Sequence, residues 1–357
     1  MQEKKIQPVD RQKEFSGTSP VREGFELDIN ALQEYMEKNV EGFSGSIELS
    51  QFKGGQSNPT YKIVSGGKKY VLRRKPQGKL LKSAHAVDRE YKVITALGKT
   101  DVPVAKTYAL CTDNSIIGSW FYIMDCVEGR IFWTYENIEL DERPAMFDVM
   151  NDTIAKLHKV DYKAIGLADY GKAGSYFSRQ ISRWSKQYRA SVEKKYPAME
   201  ELIAWLEENI PENDEVSIVH GDYRVDNMIF HPTEPKVLAI LDWELSTLGH
   251  PLSDFAYHCM LWRIPGGELK GFAGLDLKAL KFPTEEEYIK AYCQRIGKSS
   301  IDNWNYYMAF NFFRLSGIAF GIKGRVRDGT AASKQAKATS SMAEPLAEFG
   351  MIQARMK

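Results

Sequence analysis

Residues 218–242 read I-V-H-G-D-Y-R-V-D-N-M-I-F-H-P-T-E-P-K-V-L-A-I-L-D, and the rest of the chain can be organised around them. His220, Asp222 and Asn227 fall in an H-x-D-x-x-x-x-N pattern, and a second acid, Asp242, closes the segment. Moving a phosphoryl group onto a hydroxyl needs these residue types. A carboxylate must take the hydroxyl proton, and hard oxygen ligands must hold Mg²⁺ against the phosphates of a nucleotide. Asp222 is the candidate base; Asn227 and Asp242 are the candidate metal ligands. Taken alone, H-x-D-x-x-x-x-N arises by chance in many proteins, with Asp and Asn merely shaping a turn. Its weight comes from the elements that would position it.

Met228 to Phe230 and Val237 to Leu241 are short apolar runs separated by H-P-T-E-P-K, which reads as a hairpin. Such a hairpin brings Asn227, before its first strand, and Asp242, after its second, to the same end. Upstream, S-I-E-L-S-Q-F-K-G-G-Q-S-N-P-T-Y-K-I-V-S-G-G-K-K-Y-V-L-R-R-K-P alternates like strands around two glycine-rich turns. The first turn, Lys53 to Asn58, carries Gly54, Gly55, Ser57 and Asn58, small residues that let backbone N–H groups approach phosphate oxygens. A plain hairpin turn explains Gly54 and Gly55 equally well, as it does the second turn, Ser65 to Lys68. The strand ending Y-V-L-R-R-K sets Arg73 and Lys75 two residues apart, on one face. His85 to Leu97 follows as a helix with Val87, Tyr91, Ile94 and Leu97 on one stripe and Glu90 beside it; on such a helix a solvated glutamate is the ordinary outcome. Two further strand runs, Val104 to Cys111 and Trp120 to Cys126, flank a turn at residues 112–115. Beyond Asp141 the patterning is helical, beginning with the stripe Met146, Val149, Met150, Ile154 and Leu157. Further helices are expected at Glu285 to Arg295, Asn303 to Ala319 and Lys334 to Met351.

The chain has 357 residues, 43% hydrophobic and 27% charged, enough for a sizeable core and about two domains. A net charge of +1 supplies no overall field for nucleic acid and names no partner. Cys111, Cys126, Cys259 and Cys293 have no metal-ligand spacing, so they read as reduced thiols in a cytosol-like compartment, and a cytoplasmic location is expected. The first residues lack a signal-peptide core, and no stretch approaches eighteen uninterrupted apolar residues, so no membrane association is expected. Residues 1–24, polar with Pro8, Gly17 and Pro20, read as a flexible segment.

The H-G-D opening and D-W-E ending of the 218–244 region resemble the aminoglycoside phosphotransferase family of kinase-like enzymes. That resemblance implies an α+β, two-lobed protein-kinase-like fold. A small antiparallel β lobe would span residues 25–125, and a larger, mainly helical lobe residues 126–357, with ATP and Mg²⁺ between them. It implies that Arg73, where a lysine is commoner, holds the α- and β-phosphates, with Lys75 able to share the role. Glu90 would be its paired glutamate and Asp254 an anchor for the catalytic loop. Backbone groups of Asp125, Cys126 and Val127, in M-D-C-V-E-G-R, would form the hinge that meets adenine. L-H-K-V-D-Y-K-A-I-G-L, R-Q-I-S-R-W-S-K-Q-Y and L-D-W-E-L-S-T-L-G-H-P-L-S-D-F-A-Y are similar to the subgroup found fused to, or acting beside, acyl-CoA dehydrogenases. The subgroup implies a hydroxyacyl-CoA thioester as acceptor and an acyl-CoA dehydrogenase as pathway partner. Related subgroups act on choline, homoserine or aminoglycosides with the same machinery.

Charge bears on that choice. From Asn311 to Lys357 there are eight basic residues (Arg314, Lys323, Arg325, Arg327, Lys334, Lys337, Arg355, Lys357) and three acidic (Asp328, Glu344, Glu348), a surplus of five. Such a surface disfavours a polycationic antibiotic and suits an anionic, phosphate-bearing acceptor; a solvated helix face is the alternative. A nucleotide-binding pseudokinase scaffold is the rival from another class. A protein kinase lacks the expected D-F-G and A-P-E segments, and a metal hydrolase would leave the strand cations idle.

Overall fold

The computed structural model describes residues 14, 16–54, 58–76, 86–267, 270–330 and 336–356. Its strands, in chain order, are β1 (Thr18–Ser19), β2 (Glu48–Phe52), β3 (Thr60–Ser65), β4 (Lys68–Arg74), β5 (Thr107–Cys111), β6 (Phe121–Asp125), β7 (Ser217–Val219), β8 (Met228–Phe230), β9 (Val237–Ile240) and β10 (Thr247–Gly249). The helices are α1 (Ile29–Asn39), α2 (Val87–Leu97), α3 (Asn114–Ile117), α4 (Arg143–Lys159), α5 (Tyr176–Ser191), α6 (Pro197–Glu208), α7 (Pro251–Cys259), α8 (Glu285–Ile296), α9 (Trp304–Arg327), α10 (Ala336–Ser341) and α11 (Ala343–Arg355). Two compact units divide the chain. One is Met1–Lys156, Tyr162–Tyr170 and Arg224–Ser246; the other is Leu157–Asp161, Gly171–Tyr223 and Thr247–Lys357. The chain thus crosses between them more than once, where the family resemblance implies one change near residue 125.

The first unit is built on a six-stranded antiparallel sheet of order β1-β2-β3-β4-β6-β5. Alternation along its strands sorts the side chains by face. Tyr61, Ile63, Tyr70, Leu72, Phe121 and Ile123 pack with Leu32 and Met36 of α1 into one apolar core. The residues between them, among them Thr60, Val71, Arg73, Tyr122 and Met124, line a cavity. Asp28 caps α1 through the Ala31 N–H at 3.0 Å, which the sequence signals. Thr18 and Ser19 pair with Phe52 and Gln51, so this part of the segment expected to be flexible is bonded into the sheet. A short helix, α3, replaces the plain turn expected at residues 112–115.

The second unit is mostly helical. β7 and β10 pair antiparallel, with Thr247 opposite Val219, and set the chain entering the H-G-D segment. α9 runs to Arg327, two turns past the expected end, because its residues are buried on more than one face and packing continues where an amphipathic stripe would stop. The helix expected over 334–351 is two, α10 and α11, broken around Met342. Aromatic rings fill the interior: Phe177 lies within 5.6 Å of Tyr306, Tyr307 and Phe310, and Phe255 stacks on Tyr292 at 3.8 Å. Among the described residues no helix is long and apolar enough to cross a membrane.

Candidate functional site

In the first unit, β8 and β9 form the hairpin read from the sequence, Met228 facing Ile240. The Leu241 N–H donates to the Asn227 carbonyl at 2.8 Å, continuing the ladder by one rung. Asn227 and Asp242 therefore stand at one end of the hairpin. Asp242 has φ 62° and ψ 59°, a left-handed conformation that a non-glycine residue adopts at an energetic cost. Its carboxylate accepts from the Arg73 guanidinium at 2.6 Å.

Arg73 joins three acids. Its Nε lies 2.8 Å from Glu90 Oε2, an ion pair whose alignment falls short of a hydrogen bond, and Glu244 is 3.8 Å away. Glu90 is 1% exposed and also accepts from Asn58 Nδ2 at 2.9 Å and the Tyr122 hydroxyl at 3.1 Å. Desolvation works against the Arg73 charge, but Glu90 and Asp242, with Tyr122 and Glu244, outweigh it, and the guanidinium is held charged even more firmly than in water. Glu90 is thus a buried ion-pair partner; it is not a solvated helix residue.

This cluster forms part of the wall of a cavity of about 260 Å³ within the first unit. Gly54, Thr60 and Val71 contribute from the sheet, Asp125, Cys126 and Val127 from the end of β6, and Asn227 and Asp242 from the hairpin. At 125–127 the sheet uses two backbone donors: the Asp125 N–H meets the Lys106 carbonyl at 2.8 Å. Cys126 donates its N–H to the Lys69 carbonyl at 3.2 Å, while the Asp125 carboxylate accepts from the Tyr108 hydroxyl at 2.5 Å. The side chain of Asp125 is thus engaged by Tyr108. Gly129 permits the next close approach: an added Cβ would sit 2.2 Å from the Phe230 carbonyl, beside the bridge joining Arg130 to Phe230.

The second unit holds the H-G-D residues through three side chains of α7. Asp254 accepts the N–H groups of His220 at 2.7 Å and Gly221 at 2.8 Å. Tyr257 donates to Asp222 Oδ1 at 2.6 Å, and His258 Nδ1 meets the Tyr223 carbonyl at 3.2 Å. Burial pushes the Asp254 carboxyl up, but His158, whose ring lies 3.4 Å away, and the loop N–H donors win, holding it below its ordinary value. Gly221 has φ 84°, a backbone state open to glycine and costly for a side chain, which accounts for the middle letter of H-G-D.

Lys75 stays on Arg73's face: its N–H donates to the Trp120 carbonyl at 2.9 Å, one rung beyond Arg74, and its ammonium lies 3.7 Å from Asp88, on the helix that carries Glu90, and over the Trp120 ring at 4.1 Å. Gly55 and Ser57 lie outside the described residues, and Asn58 directs its amide to Glu90. In the C-terminal region Lys323 pairs with Glu344 and Arg327 with Asp328, acids already counted in its surplus, while Glu193 beside Arg327 and Glu201 beside Arg355 come from outside it. Arg314 instead donates to the Gly221 carbonyl at 2.9 Å. Sequence reading missed Tyr122 and Tyr257. Each had a signal, Tyr122 by strand alternation with Met124 and Tyr257 by lying three residues after Asp254 on one helix face.

Comparison with known proteins supplies the family and the fold. The chain matches the phosphotransferase enzyme family over residues 48–297. A crystal structure of a candidate aminoglycoside phosphotransferase from Ralstonia eutropha superposes with a TM-score of 0.86 at 53% identity, covering 92% of this chain and 99% of that one. A thermostable mutant of aminoglycoside phosphotransferase APH(4)-Ia, solved with ADP and hygromycin B, shares the fold with a TM-score of 0.61 at 13% identity, covering 92% of this chain and all of that one. Among curated proteins, acyl-CoA dehydrogenase family member 10 of Mus musculus is 44% identical over 337 residues, 93% of this chain and 32% of the relative. Acyl-CoA dehydrogenase family member 11 of Homo sapiens is 40% identical over 333 residues, 91% of this chain and 43% of the relative. The chain thus spans less than half the length of these curated relatives. The fold is the kinase-like α+β one, and the chain belongs to the phosphotransferase enzyme family, whose reaction moves a phosphoryl group to the hydroxyl of a small molecule.

Proposed function

We propose that this chain transfers the γ-phosphoryl group of ATP to the hydroxyl of a hydroxyacyl-CoA-type metabolite. The observation that carries the kinase chemistry is Arg73 bridging Glu90 and Asp242 on the wall of a cavity that Asn227 also lines. ATP fits that cavity in kind: apolar side chains and the 125–127 backbone suit a base, and a fixed cation with Gly54 suits phosphates. The donor set at Asn227 and Asp242, one amide and one carboxylate oxygen, fits Mg²⁺, which retains water and phosphate oxygens in place of a full protein cage. Among the described residues no cluster of three or more His, Cys, Asp or Glu side chains offers a softer or fuller metal site. Bound there, Mg²⁺ would offset charge on the phosphate oxygens. Asp222 takes the proton of the acceptor hydroxyl, and Arg73 supplies a positive charge that burial keeps from being screened.

The acceptor class rests on the relatives that carry an acyl-CoA dehydrogenase name, and an enzyme of that class is the proposed pathway partner. The test is a phosphate-transfer screen with labelled ATP over hydroxyacyl-CoA thioesters, free hydroxy acids, choline and aminoglycosides, run with wild type and Asp222→Asn. Turnover should be highest with a thioester, and Asp222→Asn should lower it by about 10²- to 10⁴-fold while AMP-PNP affinity is kept. A variant with wild-type turnover would remove Asp222 from the base role; preference for choline or an aminoglycoside would overturn the acceptor.

A further inference from the structure

α7 grips the H-G-D segment with side chains spaced i, i+3 and i+4, which share one helix face. Asp254 and His258 take backbone groups, whereas Tyr257 takes the side chain of Asp222. At 2.6 Å, its O–H···O contact has the length of a charge-assisted bond to a carboxylate. The Tyr257 ring is itself held. The Arg314 guanidinium lies 4.7 Å from its centroid, in cation–π range, and the same guanidinium donates to the Gly221 carbonyl at 2.9 Å. Arg314 is 9% exposed, so both contacts are shielded from water, and it is committed to this inner role instead of to a phosphate at the surface.

We propose that Tyr257, clamped by Arg314, is a positioning residue that sets the orientation of the Asp222 carboxylate. The proposal rests on the reading of Asp222 as the base. A carboxylate with one oxygen held by a buried-edge hydroxyl does not turn freely about its Cβ–Cγ bond, so its lone pairs are aimed before an acceptor arrives. Small errors in that aim are costly to proton transfer. Arg314 ties the Tyr257 ring to the Gly221 carbonyl, so the ring and the peptide preceding Asp222 are located by the same group. Tyr257 therefore serves the chemical step and contributes nothing to nucleotide binding.

The test uses the full chain with MgATP and the best acceptor of the screen above, or water where hydrolysis is faster. Tyr257→Phe keeps the ring and its cation–π contact but removes the donor. It should lower kcat by about 10- to 100-fold, the worth of a hydrogen bond to a charged group, with KM for ATP unchanged. In an Asp222→Asn background it should have no further effect. Arg314→Lys, which keeps a cation near the ring but replaces the guanidinium N–H that meets the Gly221 carbonyl, should fall between wild type and Arg314→Met. An activity-independent arm follows the aspartate carboxyl carbon-13 resonance that disappears in Asp222→Asn; it should move in Tyr257→Phe. If Asp222→Asn abolishes turnover while Tyr257→Phe leaves both kcat and that resonance unchanged, the positioning role is overturned and the base stands. If Asp222→Asn is fully active, the base assignment fails and this inference with it.

Discussion

Replacing Arg73 should damage the first unit in a graded way that its contacts allow to be worked out. Arg73→Met removes the partner of Glu90, which is 1% exposed and would be left as a buried charge that, among the described residues, the Asn58 amide and Tyr122 hydroxyl support. Orphaning a buried ion in this way costs about 3–5 kcal/mol. The carboxylates of Asp242 and Glu244 are 34% and 24% exposed, so the loss of Arg73 there adds on the order of 1 kcal/mol or less. Arg73→Lys keeps the charge, yet one ammonium cannot reach Glu90 and Asp242 as two guanidinium nitrogens do, and about 1–2 kcal/mol should be lost. Glu90→Gln in the Arg73→Met background should recover stability, because an amide needs no counter-charge. Urea unfolding followed by tryptophan fluorescence reads these differences as midpoint shifts at constant slope. An Arg73→Met midpoint equal to wild type, or a double variant whose loss is the sum of the two single losses, would refute the reasoning.

Acid should weaken the fold through two imidazoles. Burial pushes His250 and His258 down from 6.5 to about 4, so they stay neutral in the folded chain while the unfolded chain takes protons. Stability is therefore complete above the unfolded value and falls as pH drops from 6.5 toward 4, by about 2 kcal/mol per imidazole at pH 5. His258→Gln should flatten the dependence of the urea midpoint on pH in that window, and an unchanged slope would count against it. Asp254→Ala should leave the His220 and Gly221 N–H groups without their acceptor and cost about 3–5 kcal/mol. Thermal unfolding within experimental error of wild type would rule out that anchoring.

Local features explain which parts were readable. The hairpin carrying Asn227 and Asp242 announces itself through two apolar runs and a turn, and β8 and β9 follow. Arg73 and Glu90 were foreseen by family order, and the structure adds that Asp242 belongs to the same cluster. Lys75 follows the same alternation one rung past Arg74, and the structure adds Asp88 as its partner on the helix that carries Glu90. Counting charges along the C-terminal region leaves out pairing across the fold, which brings Glu193 to Arg327 and Glu201 to Arg355.

The sequence by itself determined the residue types on offer: an acid in the H-G-D segment, two oxygen donors at one hairpin end, a strand cation, and a glycine between His220 and Asp222. These are matters of residue type and short spacing, which periodicity and turn chemistry specify locally. Tertiary structure alone decided the partners: Arg73 with an acid 169 residues away, Tyr257 with Asp222, and Arg314 with a carbonyl 93 residues distant. Such pairings cost chain entropy that only the packed core repays, so local sequence can mark a helix face, as it does for Tyr257, without naming the partner that the face meets.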